Sequence, residues 1–102
     1  MTKHDLYWLA GLLEGEGTFG RYGYGRQAPQ ARVAIASTDR DVVQRAQQLL
    51  QAKSIRINRS QNRLGKKRQY ITTAYSSRAE EVMRLILPLM GKRRSRQIRA
   101  AL

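Results

Sequence analysis

The chain has 102 residues, 41% of them hydrophobic, which allows one compact domain over residues 1–102 and excludes a membrane-embedded or disordered chain. Twenty Lys and Arg against seven Asp and Glu leave a formal charge of +13. Such self-repulsion calls for a polyanionic partner, and fifteen Arg to five Lys favours nucleic acid over a membrane surface. The absence of cysteine excludes disulfides, thiolate nucleophiles and Cys-based zinc sites.

The single histidine, His4, is expected in solvent ahead of a helix. Asp5 reads as the N-cap of that helix, which runs from about Leu6 to Gly15. Leu9, Leu12 and Leu13 fall on one face at i, i+3, i+4 spacing, and Ala10 and Gly11 are small enough for a second backbone to come close. The apolar run from Leu6 to Leu13 is too short to span a bilayer and lacks the flanks of a signal peptide, so an intracellular protein is expected. The helix then ends on "EGEG", two acids and two glycines.

"TFGRYGYGRQ", Thr18 to Gln27, reads as a glycine-bent strand leading into a turn at Pro29. It lacks the strand-to-helix setting of a phosphate-cradling loop, so no nucleotide cofactor is implied. "QARVAIAST" alternates: Val33 and Ile35 point one way, Arg32, Ala34 and Ala36 the other. A helix follows in "TDRDVVQRAQQLLQA", then a strand from Ser54 with Ile55 and Ile57 opposed to Arg56 and Asn58. The polar connection "SQNRLGKKR" leads to a fourth strand, "QYITTAY". Ser77 and Glu80 match a capping box opening "SRAEEVMRLILPLM", with Gly91 as its C′ residue. "KRRSRQIRAAL" closes the chain as a short basic helix.

The order α-β-β-α-β-β-α-α predicts an α+β domain with a four-stranded antiparallel sheet. Helices cover only the apolar side of such a sheet, leaving a polar, basic face outward. A twisted ribbon of that kind fits the DNA major groove.

"LAGLLEGEG", Leu9 to Gly17, resembles the signature of the LAGLIDADG homing endonucleases. Leu13 stands for Ile, Glu14 and Glu16 for the two Asp, and Gly15 for Ala. The family module has the αββαββα order just described, and "LILPLMGKRRSRQIRAAL" is similar to the small single-motif members of phages and bacteria.

The resemblance implies a homodimer in which Leu9, Ala10, Gly11, Leu12, Leu13 and Glu14 meet their counterparts across a dyad. It implies that Glu16, with the carbonyl of Gly15, holds Mg²⁺ or another divalent cation such as Mn²⁺. Glu14 corresponds to a structural acid that accepts hydrogen bonds from the partner helix's N-terminus. Asp39 corresponds to a residue that organises active-site water, and it equally suits the N-cap of the following helix. Arg93 or Arg94 corresponds to a cation that stabilises transition-state charge, the alternative being an ordinary phosphate-binding helix end.

The DNA-facing residues expected on the first two strands are Thr18, Tyr22, Tyr24, Arg26, Gln30, Arg32, Ala34 and Ala36. On the second pair they are Arg56, Asn58, Arg59, Gln69, Ile71 and Thr73, with the facing of the fourth strand open by one residue. Arg63, Lys66, Lys67 and Arg68 are expected to grip phosphates. The implied activity is Mg²⁺-dependent hydrolysis of both strands at a pseudo-palindromic site in double-stranded DNA. Two rivals on the same scaffold are a non-catalytic DNA-binding protein and an RNA-binding intron maturase.

Overall fold

Thr2, rather than Asp5, opens the first helix in the computed structural model, which describes residues 1–58 and 68–102. Helix α1 spans Lys3–Glu16, and Asp5 sits at its third position, completing a capping box with Thr2. The Thr2 hydroxyl accepts from the Asp5 amide at 3.0 Å, and the Asp5 carboxylate accepts from the Thr2 amide at 3.3 Å. This reciprocal pair satisfies two otherwise orphaned N–H groups, so it outcompetes a start at Leu6.

Strand β1 (Gly17–Tyr22) leaves α1 without a linker. A Cβ on Gly17 would lie 2.6 Å from the Leu13 carbonyl oxygen, so this tight change from helix to strand requires glycine. The chain then turns back over Tyr24 to Gln27, where the Gln27 amide donates to the Tyr24 carbonyl at 3.1 Å. Gly25, at φ +59°, takes the left-handed position of that turn. Tyr24 and Arg26 therefore belong to the connection and not to the first strand.

Strand β2 (Gln30–Ser37), helix α2 (Arg40–Leu50), β3 (Ile55–Asn58) and β4 (Gln69–Tyr75) follow. Helix α3 (Ser76–Ile86) starts directly from β4, and Tyr75 occupies its N-cap position without a side-chain capping bond. The expected Ser77–Glu80 capping box does not form. Glu80 instead pairs with Arg21 at 3.0 Å and Arg84 at 3.6 Å, and two charged partners are the stronger draw. Pro88 cannot continue the helix, which tightens into a 3-10 turn at Leu87–Leu89. Gly91 is the N-cap of helix α4 (Lys92–Ala101), and not the C′ residue of the helix before it.

The sheet is antiparallel with strand order β1-β2-β4-β3. Its inner face carries Phe19, Ala31, Val33, Ile35, Thr72 and Ala74, all buried. All of these but Thr72 pack in one cluster with Leu9 and Leu13 of α1, Ala46 and Leu50 of α2, Val82, Met83 and Ile86 of α3 and Ile98 of α4. The helices occupy this side, so among the described residues the other face of the sheet is open. Among the described residues no helix is long and apolar enough to cross a membrane.

Candidate nucleic-acid interface

Helix α1 is apolar on both sides, and the structure divides its leucines between two tasks. Leu9 and Leu13 are 0% exposed and Ala10 is 4% exposed, all inside the chain's own core. The expectation that these three meet a second copy is therefore corrected: a side chain already enclosed has no surface to offer. The opposite side shows Tyr7, Trp8, Gly11, Leu12 and Gly15, at i, i+1, i+4, i+5, i+8 spacing, all exposed or half-buried. A Cβ added to Gly11 or Gly15 would meet no atom within 4 Å. Among the described residues, nothing in the packing calls for glycine at these two helical positions.

At the end of α1, Glu14 behaves differently from its expected role. Its Oε1 accepts from the Gly91 amide at 2.6 Å, so this oxygen caps the chain's own α4. A Cβ on Gly91 would sit 2.6 Å from that oxygen, so glycine permits the approach. Arg94 closes the same junction from the other side. Its Nε donates to the Glu14 carbonyl at 2.8 Å and a terminal nitrogen donates to the Gly15 carbonyl at 3.3 Å. Another terminal nitrogen donates to Gln97 Oε1 at 2.9 Å. A cation beside carbonyls at a helix C-terminus is favourably placed. With its side chain 12% exposed, Arg94 is a clamp on α1, whereas its neighbour Arg93 is exposed. Of the two arginines, only Arg93 has a guanidinium free to meet a ligand.

Glu16 is the last residue of α1. It is exposed, and among the described residues it makes no hydrogen bond or ion pair. Because Gly17 pairs with Ile35, Glu16 lies at the same end of the sheet as Ser37 and Asp39. Asp39 takes the N-cap position of α2, yet its side chain makes no capping bond, so an exposed carboxylate remains beside Glu16's end of the sheet. No group of three or more His, Cys, Asp or Glu fit to hold a metal occurs among the described residues. The Glu16 carboxylate and Gly15 carbonyl are hard oxygen donors of the kind Mg²⁺ or Ca²⁺ takes, but one chain offers too few.

Across the open face of the sheet, register decides which side chains point outward. Thr18 pairs with Ala34 and Ala34 with Thr73, while Ala36 pairs with Ile71 and Ile71 with Arg56. Directly paired residues share a face, so Thr18, Tyr22, Gln30, Arg32, Ala34, Ala36, Arg56, Asn58, Gln69, Ile71 and Thr73 all lie on this side. The fourth strand thus faces as Gln69, Ile71 and Thr73 require, and it adds Tyr75, which the sequence reading missed. A shallow concavity of ≈ 310 Å³ on this face is lined by Thr18, Tyr22, Tyr24, Arg32, Arg56, Thr73 and Tyr75, among others. Arg26 and Arg68 are exposed and do not line it. Arg59, Arg63, Lys66 and Lys67 lie outside the described residues.

A four-stranded sheet with one open, basic face, backed by helices and led by a motif helix, is the homing-endonuclease fold. The chain is similar to the homing endonuclease I-CvuI in complex with its target (Sro1.3), with TM-score 0.71 and 15% identity over 96% of this chain and 65% of that one. I-CvuI with the I-CreI target in 2 mM Mg, where the DNA was not cleaved, matches equally, with TM-score 0.71. The archaeal intron-encoded homing endonuclease I-Vdi141I complexed with DNA matches with TM-score 0.67 and 14% identity, over 89% of this chain and 60% of that one. The chain thus spans about two-thirds of the length of these structures. A LAGLIDADG-like domain profile matches residues 3–94, and the chain belongs to that family. No curated protein sequence matches it.

Proposed function

We propose that the chain acts as a homodimeric, site-specific endonuclease on double-stranded DNA, hydrolysing phosphodiesters with a divalent cation. The observation that carries this reading is the outer face of α1, where Gly11 and Gly15 face open space and the helix ends on the exposed Glu16. Glycine within a helix costs about 1 kcal/mol relative to alanine. A second α1 crossing at Gly11 and Gly15 supplies the reason for accepting that cost. It would also bring two Glu16 carboxylates to one axis and join two sheets into an eight-stranded saddle.

In such a dimer, Glu16 and the Gly15 carbonyl would hold the cation, Mg²⁺ or Mn²⁺. When bound, such an ion supplies an acidified water and charge neutralisation at the phosphate. Asp39 orients water near the scissile bond through its uncapped carboxylate. Arg93 offers positive charge to the phosphate. Arg94 fixes the position of the Gly15 carbonyl, and Glu14 fixes α4 against α1. The open sheet reads bases in the major groove of a pseudo-palindromic site inside the cell.

One observation favours a second reading, a DNA-binding protein without turnover: Arg94 already donates to the Gly15 carbonyl, at 3.3 Å. Incubation of the protein with a randomised DNA library and Mg²⁺, followed by sequencing of cut ends, tests both. The endonuclease reading expects staggered, symmetry-related cuts that vanish in Glu16→Gln while DNA binding persists. Enrichment of bound DNA without cuts leaves only the second reading, and cuts that survive Glu16→Gln remove Glu16 from the chemistry.

A further inference from the structure

On the open face, Arg32 lies among three aromatic rings. Its guanidinium carbon lies 5.5 Å from the ring centre of Tyr22, 5.2 Å from Tyr24 and 5.1 Å from Tyr75. These rings come from β1, from the β1–β2 connection and from the end of β4, so three separate segments converge on one residue of β2. Gly20, paired with Arg32 across the strands, makes room for this, since an added Cβ would overlap the Tyr22 ring.

The donors of Arg32 are nearly unused. One terminal nitrogen donates to the Tyr24 hydroxyl at 3.5 Å, the limit for such a bond. Nε is enclosed and has no acceptor among the described residues. Arg21, Arg45, Arg78 and Arg94, in contrast, all reach carboxylates or carbonyls. Aromatic faces hold a cation by its charge and take none of its hydrogen bonds. Arg32 is thus ordered without being satisfied, and its fork stays open to an acceptor from outside.

An arginine fork has donors only, and the base edge that answers it must present two acceptors. In the major groove only guanine does so, through O6 and N7; adenine pairs an acceptor with a donor, cytosine offers a donor, and thymine one acceptor beside a methyl. The distance from the cleavage end of the sheet fixes where such a base would lie. Arg32 is four residues along β2 from Ala36, which stands beside Glu16's end. At ~3.3 Å per residue that is roughly 13 Å, or about four base-pair steps of ~3.4 Å.

We infer that Arg32, held by Tyr22, Tyr24 and Tyr75, is the specificity-determining reader of a guanine about four steps outward from each cut position. This rests on the proposed DNA-binding reading and adds the identity and place of one base in each half-site. Tyr75 and its two companions are positioning residues, acting through Arg32.

Selection of bound DNA from a random library in Ca²⁺, with wild-type protein, Arg32→Gln, Arg32→Lys and Tyr75→Leu, tests the inference. Wild type should enrich a symmetric motif with guanine at that step. Arg32→Gln should lose roughly 10- to 100-fold of the guanine preference there, leaving the rest of the motif intact. Arg32→Lys, which keeps the charge and loses the fork, should flatten the same position, and Tyr75→Leu should broaden it. A wild-type motif with no guanine at that step, or the same guanine retained by Arg32→Gln, overturns the inference while leaving the DNA-binding reading standing. No enriched motif from any of the four proteins overturns both.

Discussion

Gly11→Ala separates the two tasks of α1. The residue sits within the helix, and an added methyl would meet no atom within 4 Å. Alanine is favoured over glycine in a helix by about 0.8–1.0 kcal/mol. The folded monomer should gain that amount, which raises the unfolding midpoint of a domain this size by about 4–8 °C. In a dimer crossing at Gly11, symmetry places two methyls between the helices, and overpacking costs at least about 1 kcal/mol for each. About 2 kcal/mol weakens self-association by roughly 30-fold. Calorimetry on dilute protein should show the gain, while sedimentation velocity across a concentration series should show the weaker dimer. Unchanged self-association in a stabilised variant would falsify the placement of a second helix at Gly11. A lowered midpoint in dilute protein would show that the chain's own fold needs the glycine, against the open space observed there.

The junction of α1 with α4 should behave as one unit. Glu14→Gln and Gly91→Ala each disturb the 2.6 Å bond between the Glu14 carboxylate and the Gly91 amide. Their double mutant should cost less than the sum by about 0.5 kcal/mol or more, and simple additivity in urea unfolding would deny the contact. Hydrogen bonding by Thr2, from its hydroxyl and then its amide, holds the Asp5 carboxyl below the usual aspartate range, with help from Arg45. A lowered folded value stabilises above the unfolded value, about 3.9, and that contribution is lost as pH falls through the folded one. The stability difference between wild type and Asp5→Ala should therefore narrow below about pH 4. A gap that widens on acidification contradicts the capping box. Finally, a dimer that contacts about ten phosphates should bind DNA with a slope of log affinity against log salt near −9, and a flat dependence removes nucleic acid as the partner.

Alternation made the sheet legible. Val33 and Ile35 against Arg32, Ala34 and Ala36 fixed the facing of β2, and the remaining strands follow from pairing with it. Composition around Glu14 and Glu16 marked the end of α1. Leucine spacing did not disclose which face of α1 is core, because apolar residues surround the helix and periodicity needs a polar side to orient it. The i, i+4 pair Gly11 and Gly15 carried that information. Nor did sequence show that Glu14 and Gly91, 77 positions apart, would meet, since a cap between distant segments leaves no local pattern. For Tyr75 the signal lies in its alternation with Gln69, Ile71 and Thr73, which puts it on the open face at the end of β4. The capping box predicted at Ser77 failed for a related reason: its Glu80 had a distant suitor in Arg21, 59 residues away.

The placement of Glu16 depends on constraints that meet within a few residues. Leu13 is locked in the core, Gly17 turns into β1 against the Leu13 carbonyl, and Arg94 holds the carbonyls of Glu14 and Gly15. Each added helical residue would rotate the acid by about 100° and advance it by about 1.5 Å. Such a change cannot be absorbed locally, because the core, the strand register and the arginine clamp all fix the same turn. The glutamate's longer side chain, in place of the signature's aspartate, is therefore carried on a backbone with little freedom to adjust. In the proposed dimer, any retuning of its reach toward DNA would fall to side-chain rotamers or to the crossing of the two α1 helices, which would leave the surface around Gly11 and Gly15 as the place where that geometry adjusts.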